Sequence, residues 1–192
     1  MKKPLNRQKL PLNPTNMWQS VQMLFYQYYM KQRLQQHRAN HKAVTLHDAK
    51  SIGILFDATK EENAVWVRRF ATNLEQQKKH VSLLGFINSA NAQEQTAYPC
   101  FSRKEVTWYL QPAHHIPINF LEKPFDILIN ACITEQATLE YISTFSNAKF
   151  RIGPYFENKT HCADLLICLK NTDALPDFLR KTLHYLQMIK TS

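Results

Sequence analysis

The sequence predicts an α/β fold: an open, mostly parallel sheet with helices on both faces, preceded by a long basic N-terminal helix. Three observations predict it. The run Ser51-Ile-Gly-Ile-Leu-Phe-Asp57 is short and apolar and leads into a helical pattern from Glu61 to about Lys78. An apolar strand that feeds a helix opens a parallel sheet. Apolar runs and amphipathic segments then alternate through the rest of the chain, as layered α/β folds require. Finally, charge is segregated. Residues 1–50 hold nine of the 24 basic residues and one of the 15 acidic ones, so the arm carries +8 and the remainder +1.

The arm comes first. Residues 1–16 contain three prolines and three asparagines among scattered Lys and Arg, the composition of a flexible basic tail. Asn16 reads as the N-cap of a helix that begins at Met17. Trp18, Val21, Phe25 and Tyr28 recur at helical spacing, widened by Met17, Leu24 and Tyr29. That stripe is expected to dock on the chain's own sheet. The helix then becomes a cationic rod, with Lys31, Arg33, His37, Arg38, His41 and Lys42. Lys31, Arg33, Arg38 and Lys42 are the candidates to bind a polyanion. Helix and linker occupy 17–50, and the α/β domain 51–192.

Strand one spans Ile52 to Phe56. Its helix carries Glu61 and Glu62 at the start and Lys78-Lys79 at the end, as the helix dipole favours. Strand two, His80 to Ile87, is apolar on both faces through Val81, Leu83, Leu84 and Phe86. Residues 88–97 are small and polar and read as a loop. Tyr98-Pro-Cys-Phe101 is a short strand. Ser102-Arg-Lys-Glu105 has the spacing of a capping box, which predicts a short helix through Val106, Trp108, Tyr109 and Leu110. Gln111 to Lys123 reads as loop, punctuated by Pro112, Pro117 and Pro124.

Pro124-Phe-Asp-Ile-Leu-Ile-Asn-Ala-Cys132 is the next strand. Thr134 reads as the N-cap of a helix with Leu139, Ile142 and Phe145 inward, ending near Ala148. Phe150-Arg-Ile-Gly153 is a strand closed by Pro154, and Asp164 to Leu169 is the last. Asp173 is expected to cap a final helix with Leu175, Phe178, Leu179, Leu183, Leu186 and Ile189 on its buried face. Right-handed crossovers limit the options, and the order expected among them is 3-2-1-4-5-6, a Rossmann-like sheet.

In such a sheet a ligand sits beyond the carboxyl ends of the strands, where the order reverses. That crevice is framed by Asp57, Ala58, Thr59, Lys60, Ala131, Cys132, Ile133 and Thr134, with Tyr155 at its flank. Asp57, Thr59, Lys60, Cys132, Thr134 and Tyr155 are the candidates to hold a nucleotide or sugar phosphate. The usual tools are missing. The three glycines, Gly53, Gly85 and Gly153, all fall within expected strands. No G-x-G-x-x-G or G-x-x-x-x-G-K-[ST] loop can form from them. Asp57 has no second acid beside it for Mg²⁺ and also reads as a loop or cap residue.

Cys132 stands where a nucleophile would, but no His follows at a motif-like spacing. His114-His115 are adjacent and cannot share one face. His161-Cys162 with Cys168 lacks zinc spacing. No catalytic residue, metal or cofactor is therefore assigned. The four cysteines, Cys100, Cys132, Cys162 and Cys168, form no C-x-x-C pair and read as reduced thiols, with Cys132 and Cys168 in buried strands. Prolines 4, 11 and 14 interrupt any signal-peptide core. The window Met17–Met30 is too short and polar to span a bilayer. A cytoplasmic protein is expected.

The quoted runs Ser51–Thr59, Phe125–Ala131, Phe150–Tyr155 and Tyr185–Ile189 resemble a family of small bacterial proteins of unknown function, with a basic N-terminal helix before one Rossmann-like domain. The resemblance runs from about Gln32 onward. It implies the fold and a bacterial cytoplasmic origin, and no activity. Phe125 to Gly153 is also similar to part of the N-terminal half of heptosyltransferase-type glycosyltransferases. Transfer chemistry is expected to need a donor-binding domain that these 192 residues do not include.

Three readings follow. The first is a non-enzymatic α/β domain whose basic arm binds RNA or a ribosome-like assembly. The second is a nucleotide or sugar-phosphate binder or enzyme using the Asp57/Thr134 crevice. The third is a peripheral membrane protein whose Trp18/Phe25/Tyr28 face enters an anionic lipid surface.

Overall fold

A computed structural model describes residues 14–36, 41–89 and 97–189. The elements are α1 (Pro14–Gln36), β1 (Ser51–Asp57), α2 (Glu61–Gln76), β2 (His80–Ile87), β3 (Cys100–Ser102), α3 (His115–Glu122), β4 (Ile127–Asn130), α4 (Ala137–Phe145), β5 (Phe150–Pro154), β6 (Leu165–Ile167) and α5 (Leu175–Met188). The six strands form one sheet in the order β3-β2-β1-β4-β5-β6, and every pairing is parallel. The expected order, 3-2-1-4-5-6, is the order found.

Alternation along the strands divides the core into two layers. Ile52, Ile54 and Phe56 of β1 and Ile127 and Ile129 of β4 face α2 and α5. Leu55 and Leu128 point the other way, into a layer with Phe120, Leu139, Ile142 and Phe145 from α3 and α4. Gly53 faces that second layer, where a Cβ would stand 2.8 Å from the Phe125 ring. The ring thus leaves no room for a side chain at this position.

Asp126 fastens the sheet's lower edge. Its carboxylate accepts the N–H groups of Lys50 and Ser51 at 2.8 and 3.0 Å and the Lys149 ammonium at 2.8 Å. Three consecutive sheet neighbours are tied by one side chain. Arg151 closes the other side of the domain. Buried in the core, it pairs with Asp164 at 2.9 Å and donates to Thr144 O at 2.8 Å. It therefore satisfies a carbonyl at the end of α4 that the helix cannot.

Several expected boundaries differ. The helix expected over 106–110 does not form. Glu105 does accept the Ser102 N–H at 2.7 Å, but the turn it caps is a single 3-10 turn, Arg103–Glu105. Val106 then pairs antiparallel with Pro112, and Leu110 takes φ 66°. Val, Thr and Trp in succession are poor helix formers, and Pro112 cannot supply the next amide. The stretch 111–123, expected as loop, contains α3. Pro117 is its third residue, within the first turn, where an N–H has no intrahelical partner to lose.

Helix α4 starts at Ala137 with Gln136 before it, so Thr134 is not its cap. It ends at Phe145 rather than Ala148, where Ser146 Oγ accepts the Ala148 N–H at 3.1 Å and offers the backbone an alternative to helix. Ala174, not Asp173, precedes α5. Asp173 instead accepts Lys170 N–H at 3.0 Å and the Lys181 ammonium at 2.5 Å. Cys168 lies beyond β6 and is exposed, not in a buried strand. Helix α1 begins at Pro14, so Asn16 is inside it. The tail expected over 1–16 lies almost wholly outside the described residues, as do residues 90–96 of the 88–97 loop and the candidate Arg38.

The largest departure concerns which side of α1 docks. Tyr26 and Met30 are buried, and Leu34 packs beside them against the α3/α4 layer. The expected stripe faces outward: Met17, Trp18, Leu24, Phe25, Tyr28 and Tyr29 are exposed. Two docked residues directly follow exposed ones, as Tyr26 follows Phe25 and Met30 follows Tyr29. At about 100° per residue, the two stripes are roughly a quarter turn apart. The helix is apolar on more than one side, so periodicity alone could not choose the side that packs.

Candidate functional site

The reversal point lies between β1 and β4, which are parallel neighbours with Leu55 opposite Asn130. Asp57 ends β1 there. Its Oδ1 accepts the Thr59 N–H at 2.9 Å, and its carbonyl accepts Asn63 Nδ2 at 3.0 Å. Thr59 Oγ1 accepts the Asn88 N–H at 2.9 Å. Asp57 and Thr59 thus act on their own loop: they brace the β1–α2 turn against the end of β2. Lys60 is the exposed residue before α2 and makes no side-chain cap. The first turn of α2 carries Glu61 and Glu62, whose charges already complement the helix dipole.

Cys132 is buried one strand away. Asn130 Oδ1 accepts its N–H at 3.3 Å, and its thiol donates to Thr134 O at 3.2 Å. Burial pushes the thiol up to about 11, and the negative charge of Asp57 pushes the same way. A protonated, inward-facing thiol is the reverse of an activated nucleophile. Tyr155 lies past β5 and is exposed, with its N–H bonded to Ile167 O at 3.0 Å. The structure therefore gathers Asp57, Thr59, Lys60, Cys132 and Thr134 at one end of the sheet. Asp57, Thr59 and Cys132 are already engaged with neighbouring chain.

The arm has a different character. Tyr26 OH donates to Ala137 O at 2.9 Å, and burial drives that hydroxyl far above its ordinary range, with Glu140 adding to the effect. Arg33 donates to the hydroxyl of Tyr141 and lies over the rings of Tyr141 and Phe145. It is a docking residue as well as a cation. Lys31 and Lys42 are exposed, and the Lys42 N–H is fixed by Lys149 O at 2.9 Å.

A groove of about 700 Å³ runs between α1 and the chain after β5, lined by Met23, Tyr26, Met30, Lys31, Glu140 and Lys159 among others. Glu140 is buried and its carboxyl is raised by that burial, against the pull of Lys159. Lys159 Nζ lies 2.6 Å from Glu140 and 2.7 Å from Glu135. Burial alone would lower this ammonium; the two carboxylates reverse that and raise it. Glu140 and Lys159 of the groove are thus paired with one another.

Sequence reasoning missed the aromatic surface that α1 shares with Trp108 and Tyr109. Phe25 meets Trp108 edge to face with centroids 4.9 Å apart, and Tyr29 lies 5.0 Å from Tyr109. The adjacent Trp108-Tyr109 pair was the available signal, obscured because the capping box before it predicts a helix there. Among the described residues no group of three His, Cys, Asp or Glu could hold a metal ion, and no helix is long and apolar enough to cross a membrane.

The model of a family of unknown function (DUF6913) matches residues 23–189. The chain belongs to this family. The match begins in α1, nine residues before Gln32, from which the sequence resemblance runs, so the docked part of α1 is part of the family unit. No curated protein matches the DUF6913 chain. Among solved structures, E. coli heptosyltransferase WaaC with ADP is similar at a TM-score of 0.47 and 10% identity, over 68% of this chain. The chain spans 45% of that enzyme's length.

Proposed function

We propose that the protein is a non-enzymatic binding module whose arm engages a polyanionic partner, RNA first. The observation that carries this reading is charge segregation: +8 over residues 1–50 against +1 over the rest. Lys31 and Lys42 stand exposed. At the sheet's reversal point, by contrast, Asp57 and Cys132 are bonded to their own loops and the α2 N-terminus carries two acids. Cations that neutralise phosphates release counterions, so affinity should fall steeply with salt.

The test is RNA affinity of the full chain across a salt series. Affinity that falls log-linearly with salt, with a slope reduced in a Lys31→Glu/Lys42→Glu variant, supports the reading. Salt-independent or absent binding removes it. Exposure of Trp18, Phe25 and Tyr28 favours a second reading, attachment to anionic lipid. Co-sedimentation with phosphatidylglycerol vesicles, lost in Trp18→Glu, is its signature.

A further inference from the structure

Five rings form a continuous chain across the seam between α1 and the 106–112 segment: Tyr28 to Tyr29 at 5.6 Å, Tyr29 to Tyr109 at 5.0 Å, Tyr109 to Trp108 at 5.5 Å and Trp108 to Phe25 at 4.9 Å. The outer ones are open to solvent, with Phe25 43%, Tyr28 57% and Trp108 50% exposed. Trp18, one heptad before Phe25 on the same helix, is 66% exposed. The seam is held from both sides. Gln22 Nε2 donates to Trp108 O at 2.5 Å, and Thr138 Oγ1 donates to Leu110 O at 3.2 Å. The rings are therefore presented on a braced surface rather than on a free loop.

We propose that this face stacks unpaired bases, so that the nucleic acid bound by the arm is single-stranded. The inference rests on the proposed RNA reading and names the form of RNA. Three features support it. Exposed aromatic surface on this scale marks a binding site. Cations stand near it along the chain: Lys31 is one turn beyond Tyr28 in α1, and Arg103 and Lys104 are exposed just upstream of Trp108. Alternating ring faces and backbone-tracking cations are what single strands require, because every unpaired base offers a π-face while a duplex hides it. The polar content of the face disfavours a lipid occupant. Gln22 and Gln32 sit among the rings, with Gln32 Nε2 2.5 Å from the Tyr28 hydroxyl. Insertion into hydrocarbon would take those amides out of water.

The test uses the full chain with an oligouridine of about 12 nucleotides, alongside an RNA duplex of equal length at the same salt. The single strand should bind roughly tenfold or more tightly than the duplex and quench tryptophan fluorescence. Trp108→Ala should weaken single-strand binding by on the order of tenfold, with the salt slope and the unfolding midpoint retained. Trp108→Phe should restore most of the loss. Equal affinity for both forms, with a normal salt slope, overturns stacking and leaves the polyanion reading standing. No binding to either overturns both. Loss in Trp108→Ala of vesicle binding or of self-association, with RNA affinity unchanged, assigns the face to lipid or to a second copy and overturns the proposal.

Discussion

The guanidinium of Arg33 lies over the ring of Phe145, 4.8 Å from its centroid. Arg33, one turn beyond the last exposed ring of α1, therefore reaches back to the domain. One of the cations that the sequence offered to a polyanion is also a clasp between α1 and α4. Replacing Arg33 with Ala should lower stability by about 1 kcal/mol, the worth of a cation–π interaction still open to water. Chemical denaturation measures it. The salt slope of RNA binding should change little.

Lys31 and Lys42 have the opposite expectation. Neither holds the core, so Lys31→Glu/Lys42→Glu should leave the unfolding midpoint within error. A lysine that no longer neutralises a phosphate lowers the salt slope by about 1, so the double variant should lower it by about 2. A slope unchanged from the parent excludes both residues from the interface.

Arg151 is structural. It joins the Asp164 carboxylate to the carbonyls of Ser143, Thr144 and His161. Arg151→Ala leaves Asp164 with only the His41 ring, 3.6 Å away, as a charge partner and should cost about 3 kcal/mol. Arg151→Lys should rescue little, since one ammonium cannot reach both the carboxylate and the helix end. Thermal unfolding of both variants tests this.

Asp126 sets the acid limb of stability. Burial pushes its carboxyl up, but the Lys149 ammonium and the amides of Lys50 and Ser51 outweigh burial and hold it well below the usual range. A depressed folded value stabilises the fold above the unfolded carboxylate value of about 3.9, and that contribution is lost as pH falls further. Asp126→Asn should therefore flatten the fall in stability below about pH 4. If the variant and parent curves stay parallel there, the effect belongs to other acids.

The cysteines should separate by reactivity. Cys168 is exposed, while Cys132 and Cys162 are buried and both thiols are pushed up to about 11 by burial. Alkylation of the native chain followed by peptide mass mapping should label Cys168 first and Cys132 and Cys162 only on unfolding. Rapid labelling of Cys132 would reopen the crevice as a reactive site.

The sheet was legible in the residue pattern. Runs such as Ile52–Phe56 and Ile127–Ile129 are apolar on both faces, and right-handed crossovers leave few orders for six such strands. The crevice residues were locatable for the same reason, because strand ends follow from strand identity. That Asp57 and Cys132 are bonded to their own loops depends on Thr59, Asn63 and Thr134, close in sequence, and was partly legible. The short 103–122 segment was not. There, β-branched residues and prolines overrode a capping signal and displaced the helix to His115–Glu122.

The orientation of α1 and the exposure of its rings came from long-range packing. Tyr26, Met30 and Leu34 are as apolar as Trp18, Phe25 and Tyr28, so local pattern favoured neither stripe. The choice was made by residues more than a hundred positions away: Ala137, which accepts the Tyr26 hydroxyl, and Tyr141 and Phe145, which receive Arg33. Strand identity is written in neighbouring residues, whereas the docked side of a many-sided apolar helix is set by what the folded sheet presents to it.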